Sequence, residues 1–504
     1  MTVLQRTDLT TSQKIECAAA VVARQHEHGS KTALSETYEI SRPTVYAAGA
    51  TAHSVLRAHF EAPLLGGAGV PVRVDDAQLR RAVVALRVVA PNAIRPIEDL
   101  LPVLYPGVQV SYGTIQAMLV EAEGRAGRLN AQAPLGGIEA GALDEMFSQG
   151  EPVLAGVDLD SGYLFGLSLS PTRDGDTWAE LLREGQGQGL GLSVVVKDAA
   201  KGIASGVAEV FPDAEQRDDC FHVLYEMNKV RRKLERRAYA AIEREGEALG
   251  RLGKIRARDK TCRRKAKWAL RKARRQCAEA IGRFDAFEAA MGTLRGALEC
   301  IDVASGELHR PEQVEALIAQ AAGRIDSLGT GECTKLAKYL RHRAPGLVLA
   351  QRSVLPRLEA LGERWSMPAV RLGCLCWYLV RALNRHPPHA RRRALSRHLL
   401  GAYGALQDRL GPESASLLDG VEAVLHQRHR ASSAIEGFNA ALRPYLYVHK
   451  GVTQGFLDLF RAYFNLRIRR WGRHKGTSAH QSLTGQRVDD WLTLLGYPPS
   501  PALA

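Results

Sequence analysis

Three carboxylates far apart in the chain lie in segments able to hold them in fixed places. Asp144 lies inside Gly141-Ala-Leu-Asp-Glu-Met-Phe147, Asp198 ends Leu192-Ser-Val-Val-Val-Lys-Asp198, and Glu436 lies in Ser432-Ser-Ala-Ile-Glu-Gly-Phe-Asn-Ala-Ala-Leu442. Acids brought together from separate elements can hold two divalent cations about 4 Å apart. Such a pair activates a water or hydroxyl nucleophile and steadies the leaving oxygen in phosphoryl transfer.

Any one of these acids has an ordinary explanation as a turn or cap residue, so each must be argued from its setting. Asp198 follows a run of apolar residues and precedes Ala-Ala-Lys-Gly. It therefore sits at the C-terminal end of a buried strand, where ligands collect in open α/β sheets. Asp144 falls within a strand pattern, and a charged side chain there needs a metal or a partner. Asp158 and Asp160 compete for the same role but read as the turn between the next two strands. Glu436 lies on a helix capped by Ser432 or Ser433, with Asn439 and Arg443 at i+3 and i+7 on its own face. Between the last two acids comes Asp219-Cys-Phe-His222, where Asp219 and His222 suit a structural polar network rather than zinc.

The elements around these residues follow from periodicity. Ile138–Phe147, Pro152–Asp158 and Tyr163–Ser170 read as strands, joined by Gly-containing links that suit antiparallel hairpins. A helix at Gly175–Arg183, a buried strand at Leu192–Val196, a helix at Ala199–Val210 and a short strand near Ala214–Arg217 follow. Three hairpin strands and then alternating helix and strand is the order of an RNase H-like α/β core. From His222 to about Gln427 the patterns are helical and Arg-rich, consistent with an all-helical insertion that separates Asp198 from Glu436.

The N-terminal part is helical. Thr11–Gln25 carries Ile15, Ala18, Ala19 and Val22 at helical spacing. Ser30 suits the cap of Lys31–Tyr38, and Ser41 the cap of a helix opening at Arg42, with Pro43 in its first turn. This is helix-turn-helix spacing, with Arg42, Thr44 and Tyr46 facing a DNA major groove. After a linker, Leu64-Leu-Gly-Gly-Ala-Gly-Val-Pro71, helices at Asp76–Val89, Arg95–Leu104 and Ser111–Glu123 form a second such unit. The expected class is therefore multidomain α plus α/β. Its parts are a helix-turn-helix domain (1–63), a second helical DNA-binding unit (72–130), a first core part (138–228), the helical insertion (229–430), a second core part with the Glu helix (431–480) and a C-terminal tail (481–504).

Composition points to a polyanionic partner. The 504 residues carry a formal charge of +14, and 251–275 alone hold 13 Lys or Arg against one Asp. Clustered positive charge suits a phosphate backbone, whose released counterions drive binding. Lys265 and Arg271 lie in this block. The N-terminus has no apolar signal core and no long apolar run appears, so no membrane partner and a soluble, cytoplasmic, nucleoid-associated protein are expected. The eight cysteines are scattered and read as packed thiols.

Asp144, Asp198 and Glu436, with Asp219-Cys-Phe-His222 after the second acid, resemble the catalytic core of bacterial insertion-sequence DDE transposases. The likeness is closest to the branch with a C/D-x-x-H motif and a helical insertion before the final Glu. Val196-Lys-Asp-Ala-Ala-Lys-Gly202, Phe211-Pro-Asp-Ala214 and Ile435-Glu-Gly-Phe-Asn439 carry the likeness, which covers about 138–480. The resemblance implies two Mg²⁺ ions (Mn²⁺ substituting) held by Asp144, Asp198 and Glu436. It further implies hydrolysis at each element end to free a 3′-hydroxyl, then strand transfer of that hydroxyl into target DNA. Partners would be the terminal inverted repeats and target DNA, bound by a homodimer or larger oligomer, with Arg443, Lys450, Arg467, Arg469 and Arg470 as phosphate contacts. Two alternatives stay open: a non-catalytic DNA-binding regulator derived from a transposase, and an RNase H-like nuclease.

Overall fold

The computed structural model describes residues 9–24, 26–61, 74–198, 200–385, 387–430, 433–448, 450–472 and 474–499. The chain divides into two compact units, 1–73 and 74–504.

In the first unit, α1 (Thr11–Ala23), α2 (Ser30–Thr37) and α3 (Arg42–Glu61) enclose Cys17, Val21, Leu34, Ile40 and Val45. Thr10 and Gln13 cap α1 reciprocally. The buried face of α1 is rotated from the expected one: Cys17 and Val21 point inward, and Ile15 is 64% exposed. Ser30 is not the cap of α2. Gly29 takes that place, in the left-handed conformation at φ 80°, and the Ser30 hydroxyl donates to the Arg24 carbonyl. Ser41 does cap α3, its Oγ accepting from the Thr44 amide at 3.2 Å.

The second unit opens with α4 (Asp76–Val88), α5 (Ile94–Leu104) and α6 (Tyr112–Ala131). Then come β1 (Ala140–Ser148), β2 (Glu151–Asp158), β3 (Leu164–Leu169), α7 (Gly175–Gly187), β4 (Val194–Lys197), α8 (Lys201–Val210) and β5 (Glu215–Asp218). These strands build one five-stranded sheet in the order β3-β2-β1-β4-β5. β1, β2 and β3 pair antiparallel, and β4 joins β1 and β5 in parallel. Gln149 (φ 54°) and Gly150 (φ 94°) supply the positive dihedrals that a two-residue hairpin requires. Each face of the sheet has its own core. Leu143, Leu154, Phe165 and Val195 pack under Trp178 and Leu182 of α7 and Ile203 and Val207 of α8. Ala142, Met146, Val153 and Ala155 face the opposite way. They meet α16 (Ser433–Val448) and α17 (Gln454–Leu466), as Phe438, Leu442, Phe456 and Phe460.

Between the sheet and α16 run α9 (Cys220–Lys254), α10 (Lys260–Ala297), α11 (Pro311–Asp326), α12 (Gly331–Trp365), α13 (Met367–Asn384), α14 (His389–Leu410) and α15 (Ser414–His426). α9 and α10 form a long hairpin with the basic block at its tip. Apolar stripes on α9–α12 enclose one core around Met227, Phe287, Met291 and Leu340. α12, α13 and α15 help to enclose a second around Val354, Leu358, Cys374 and Val421. The two short C-terminal helices are α18 (Ala479–Thr484) and α19 (Trp491–Leu494).

Two segments differ from expectation. α4 and α6 do not stand apart from the sheet: Val84, Val88, Ala122 and Ala126 enter the same core as Phe456 and Phe460. The stretch read as a tail also packs there through Leu492, Leu495 and Tyr497, with Arg81 paired to Asp490 at 2.8 Å. Spaced apolar residues at 492, 495 and 497 were the available signal.

The edge strand β3 is closed by side chains of α17. Asn465 Oδ1 accepts from Leu164 N at 2.8 Å and its Nδ2 donates to Leu164 O at 3.0 Å. Gln454 Oε1 accepts from Leu169 N at 2.9 Å, and the buried Arg461 donates to Leu164 O and Phe165 O at 3.0 and 2.6 Å. These groups cover an edge that would otherwise recruit another strand. Asn465→Leu leaves the buried Leu164 N–H unpaired while Arg461 keeps its carbonyl satisfied, so we expect a loss of about 1–3 kcal/mol in stability, measured by urea unfolding. Among the described residues no helix is long and apolar enough to cross a membrane, and all eight cysteines are free.

Candidate active site

The sheet register brings the strands of the first two acids side by side. Ala140, Gly141, Ala142 and Leu143 pair in parallel with Val194, Val195, Val196 and Lys197. Asp144 is the next residue of β1 after this register, and Asp198 directly follows the last residue of β4. Neighbouring strands run about 4.8 Å apart and residues in register project from the same face. By alternation, Asp144 shares the face of Ala142 and Met146, which α16 covers.

α16 supplies the third acid. Asn439 Nδ2 donates to Asp144 Oδ2 at 2.6 Å, tying the helix to the middle of β1. Glu436 lies three residues earlier, on the same side of the helix. The other Asp144 oxygen, Oδ1, accepts from the Glu145 amide at 2.8 Å, and Asp198 Oδ1 accepts from the Ala200 amide at 2.8 Å. Burial pushes the Asp144 carboxyl up from 3.8 to about 6; the two hydrogen bonds oppose this, and the charges of Asp198 and Glu436 add to it. Asp198 and Glu436 therefore both lie within electrostatic reach of Asp144.

Among the described residues none of the three carboxylates has an ion-pair partner; Arg173 turns instead to Glu145, at 2.7 Å. Asn439 is 2% exposed, and its Oδ1 is buried with no hydrogen-bond partner among the described residues. Carboxylate oxygens and a buried amide oxygen are donors of the kind a hard divalent ion takes. Among the described residues, no three Asp, Glu, His or Cys side chains are spaced to ligate one ion as they stand. The donor chemistry fits the cation, while the side chains as placed do not form a ligand set.

The Asp219–His222 motif is structural in its contacts. Asp219 is 5% exposed and caps α9, accepting from the Phe221 amide at 2.8 Å. Its own amide donates to the Lys197 carbonyl at 3.0 Å, and the Cys220 amide to the Arg430 carbonyl at 3.1 Å. The motif thus locks the end of β4, the start of α9 and the chain leading to α16. His222 lies on the α9 surface, 3.9 Å from Glu226.

Gly202 explains the spacing after Asp198: a Cβ there would overlap the Arg173 carbonyl, so only glycine lets α8 seat against the turn before α7.

The expected DNA contacts divide by placement. Arg42, Thr44 and Tyr46 are exposed at the start of α3, with Lys31 Nζ 5.0 Å from the Tyr46 ring centre. Lys265 and Arg271 are exposed on α10, as are Arg443, Lys450 and Arg470 around α16 and after α17. Arg469 differs. Its guanidinium turns inward to Ser161 O at 2.6 Å, Ser478 O at 2.9 Å and Ser482 Oγ at 2.6 Å. Burial lowers its pKa to about 10. It pins the segment after α17 to the β2–β3 turn, a role that alternation in a basic run does not reveal.

Sequence reading also missed the contribution of α12. Arg343 bonds Asp218 at 2.7 Å at the end of β5, and Tyr339 lies near enough for Asp198 and Asp218 to help hold its phenol at about 12, after burial. Nothing local in α12 marks a helix bound for the sheet.

Residues 155–351 match the model of a DDE-type family described as Transposase. The match opens inside β2 and closes within α12, so it takes in Asp198 and Asp219–His222 but not Asp144 or Glu436. No curated protein matches. Among solved structures, a chain of the Drosophila P element transposase strand transfer complex is similar with a TM-score of 0.34 and 13% identity, over 82% of this chain and 97% of that chain. That likeness is too loose to position any residue. Over residues 155–351 the chain is thus similar to that transposase family.

Proposed function

We propose that this chain binds the ends of a mobile DNA element, cleaves them, and joins the freed 3′ ends to target DNA, with Asp144, Asp198 and Glu436 as its catalytic acids. The observation that supports the reading is the Asn439–Asp144 bond, which ties the Glu436 helix to β1, next to the strand that Asp198 follows. The family match supports the reaction class, and the order of the sheet supports an RNase H-like core interrupted by the helices of 229–430.

When bound, two Mg²⁺ ions (or Mn²⁺) would supply activation of the nucleophile and charge stabilisation at the leaving oxygen. The chain's residues do the positioning. β1 and β4 fix two carboxylates on a rigid sheet. Asn439 holds one Asp144 oxygen and the Glu145 amide holds the other. Arg443, Lys450 and Arg470, exposed around α16 and after α17, would meet phosphates of the bound DNA. α1–α3 present Arg42, Thr44 and Tyr46 to a groove of the element end. An oligomer on DNA would bring two ends together.

Asn439→Ala frees Asp144 without removing a carboxylate. We expect about 10–100-fold loss of divalent-ion affinity and of cleavage, as for other groups that orient metal ligands, read by Mn²⁺ titration and single-turnover cleavage. The reading as a whole is tested by incubating the protein with DNA bearing the inverted repeats that flank its gene, in Mg²⁺. Cleavage at the repeat boundary and a joined product support it. Cleavage without joining favours a nuclease, and binding without cleavage favours a regulator.

A further inference from the structure

We propose that His429 is a positioning residue for Glu436: it pins the entry to α16 onto the turn between β2 and β3, a role that rests on the catalytic reading above. His429 precedes α16 and holds φ 39°, a left-handed conformation that a residue with a side chain keeps only where its surroundings impose it. Neighbouring elements clamp the backbone on both sides of it. Arg217 of β5 donates to the Arg428 carbonyl at 2.6 Å, and the Cys220 amide at the start of α9 donates to the Arg430 carbonyl at 3.1 Å. Just after α10, the Leu298 carbonyl accepts from the buried Arg428 at 3.0 Å, and Glu299 pairs with Arg430 at 2.9 Å.

The His429 side chain turns elsewhere. Only 9% of it is exposed, and its Nε2 lies 3.5 Å from Asp160 Oδ2 in the β2–β3 turn. That turn is stiff. Asp158, itself buried, accepts from the Ser161 amide at 2.8 Å and from the Ser161 hydroxyl, and the Gly162 amide donates to the Asp158 carbonyl at 3.0 Å. The chain leaving α17 returns to the same turn, where Arg469 donates to Ser161 O at 2.6 Å. The turn therefore holds the α16–α17 pair at both ends, through His429 before α16 and Arg469 after α17. A fixed entry and a fixed exit leave α16 little freedom to slide or roll over β1. Asn439 ties the middle of the helix to Asp144, but Glu436 lies in the first turn, the part that the entry segment governs most. Asp160, an exposed turn acid, thereby gains a role distinct from ligating an ion.

The test uses the full chain and Mn²⁺, with ion binding read both as a rise in melting temperature and through single-turnover cleavage of element-end DNA. His429→Ala should raise the half-saturating Mn²⁺ about tenfold by both readouts, as for other groups that orient metal ligands from behind, and leave DNA affinity in Ca²⁺ unchanged. His429→Asn suits the left-handed backbone but is shorter than the ring, so it should fold well and show the same loss. Asp160→Ala should match His429→Ala, and the double alanine variant should be no worse than either single one. Asp160→Asn keeps an acceptor for the ring N–H and should stay near the wild type. Phe287→Leu, in the separate α9–α12 core, should lower stability without moving the Mn²⁺ half-saturation, which separates positioning from loss of fold. An unchanged half-saturation in the His429 variants, additive effects of the two alanines, or an equal rise in Phe287→Leu overturns the inference. If the wild type cuts element ends and the His429 variants cut equally well at every Mn²⁺ concentration, only this inference is removed. A wild type that cuts no DNA, yet binds Mn²⁺ more tightly than His429→Ala, supports the positioning role and removes the catalytic reading.

Discussion

Replacing Asp144 with asparagine should lower strand cleavage by roughly 10³-fold or more while raising the melting temperature of the metal-free protein. The two effects share one cause. Asp144 is half-buried within electrostatic reach of Asp198 and Glu436, and its carboxyl is raised from 3.8 to about 6. An acid whose folded pKa lies above its unfolded value favours the fold while protonated. Its contribution is full below pH about 4 and is lost as the pH rises through about 6. At neutral pH the charged carboxylate therefore costs the metal-free fold up to about 3 kcal/mol. An amide at this position carries no charge and can donate to the buried Asn439 Oδ1, which lacks a partner among the described residues. Mg²⁺ or Mn²⁺ should stabilise the wild type and leave the Asp144→Asn protein unmoved. Thermal melts with and without the ion, alongside cleavage assays, check both halves. A variant that is destabilised, or that keeps cutting, contradicts the account.

Neutralising the tip of the α9–α10 hairpin should flatten the salt dependence of DNA binding. Arg264, Lys265, Lys267 and Arg271 are all exposed on α10. Each phosphate contact contributes about −0.9 to the slope of log affinity against log salt. Changing all four to glutamine should make the slope shallower by roughly 3–4. The weakening between 50 and 200 mM salt should then shrink about a hundredfold. Because these side chains are solvated, the melting temperature should hardly change. An unchanged slope would mean that the block is a solvated helix face with no part in DNA binding.

Much of the sheet was legible because its signals are local. A two-residue Gln149-Gly150 link, Gly-rich turns and short β-branched runs locate all five strands to within about two residues. The Val-Val-Val run before Asp198 identified a central parallel strand, buried on both faces. Non-local relations were not legible. That Arg469 turns inward depends on carbonyls at 161 and 478, and that α17 closes β3 depends on Asn465 meeting Leu164. Helical periodicity cannot distinguish a helix that covers a sheet edge from one on the surface. In α1 the inward face was misread because a lone Cys17 outweighs Ile15 once α3 packs against it. For the candidate site, the residues could be named from their settings, but the tie between Asn439 and Asp144, 295 positions apart, appears only in three dimensions.

The central claim is that β1, β4 and α16 together grip one pair of divalent ions. Iron-mediated cleavage of the polypeptide measures this directly. Fe²⁺ replaces the native ion, ascorbate and peroxide generate short-lived hydroxyl radicals at the metal, and the backbone is cut only near its ligands. The account predicts coincident cuts near residues 144, 198 and 436, competed away by excess Mg²⁺ and absent from the Asp144→Asn protein. Cuts confined to one of the three segments, or none above background, would contradict it.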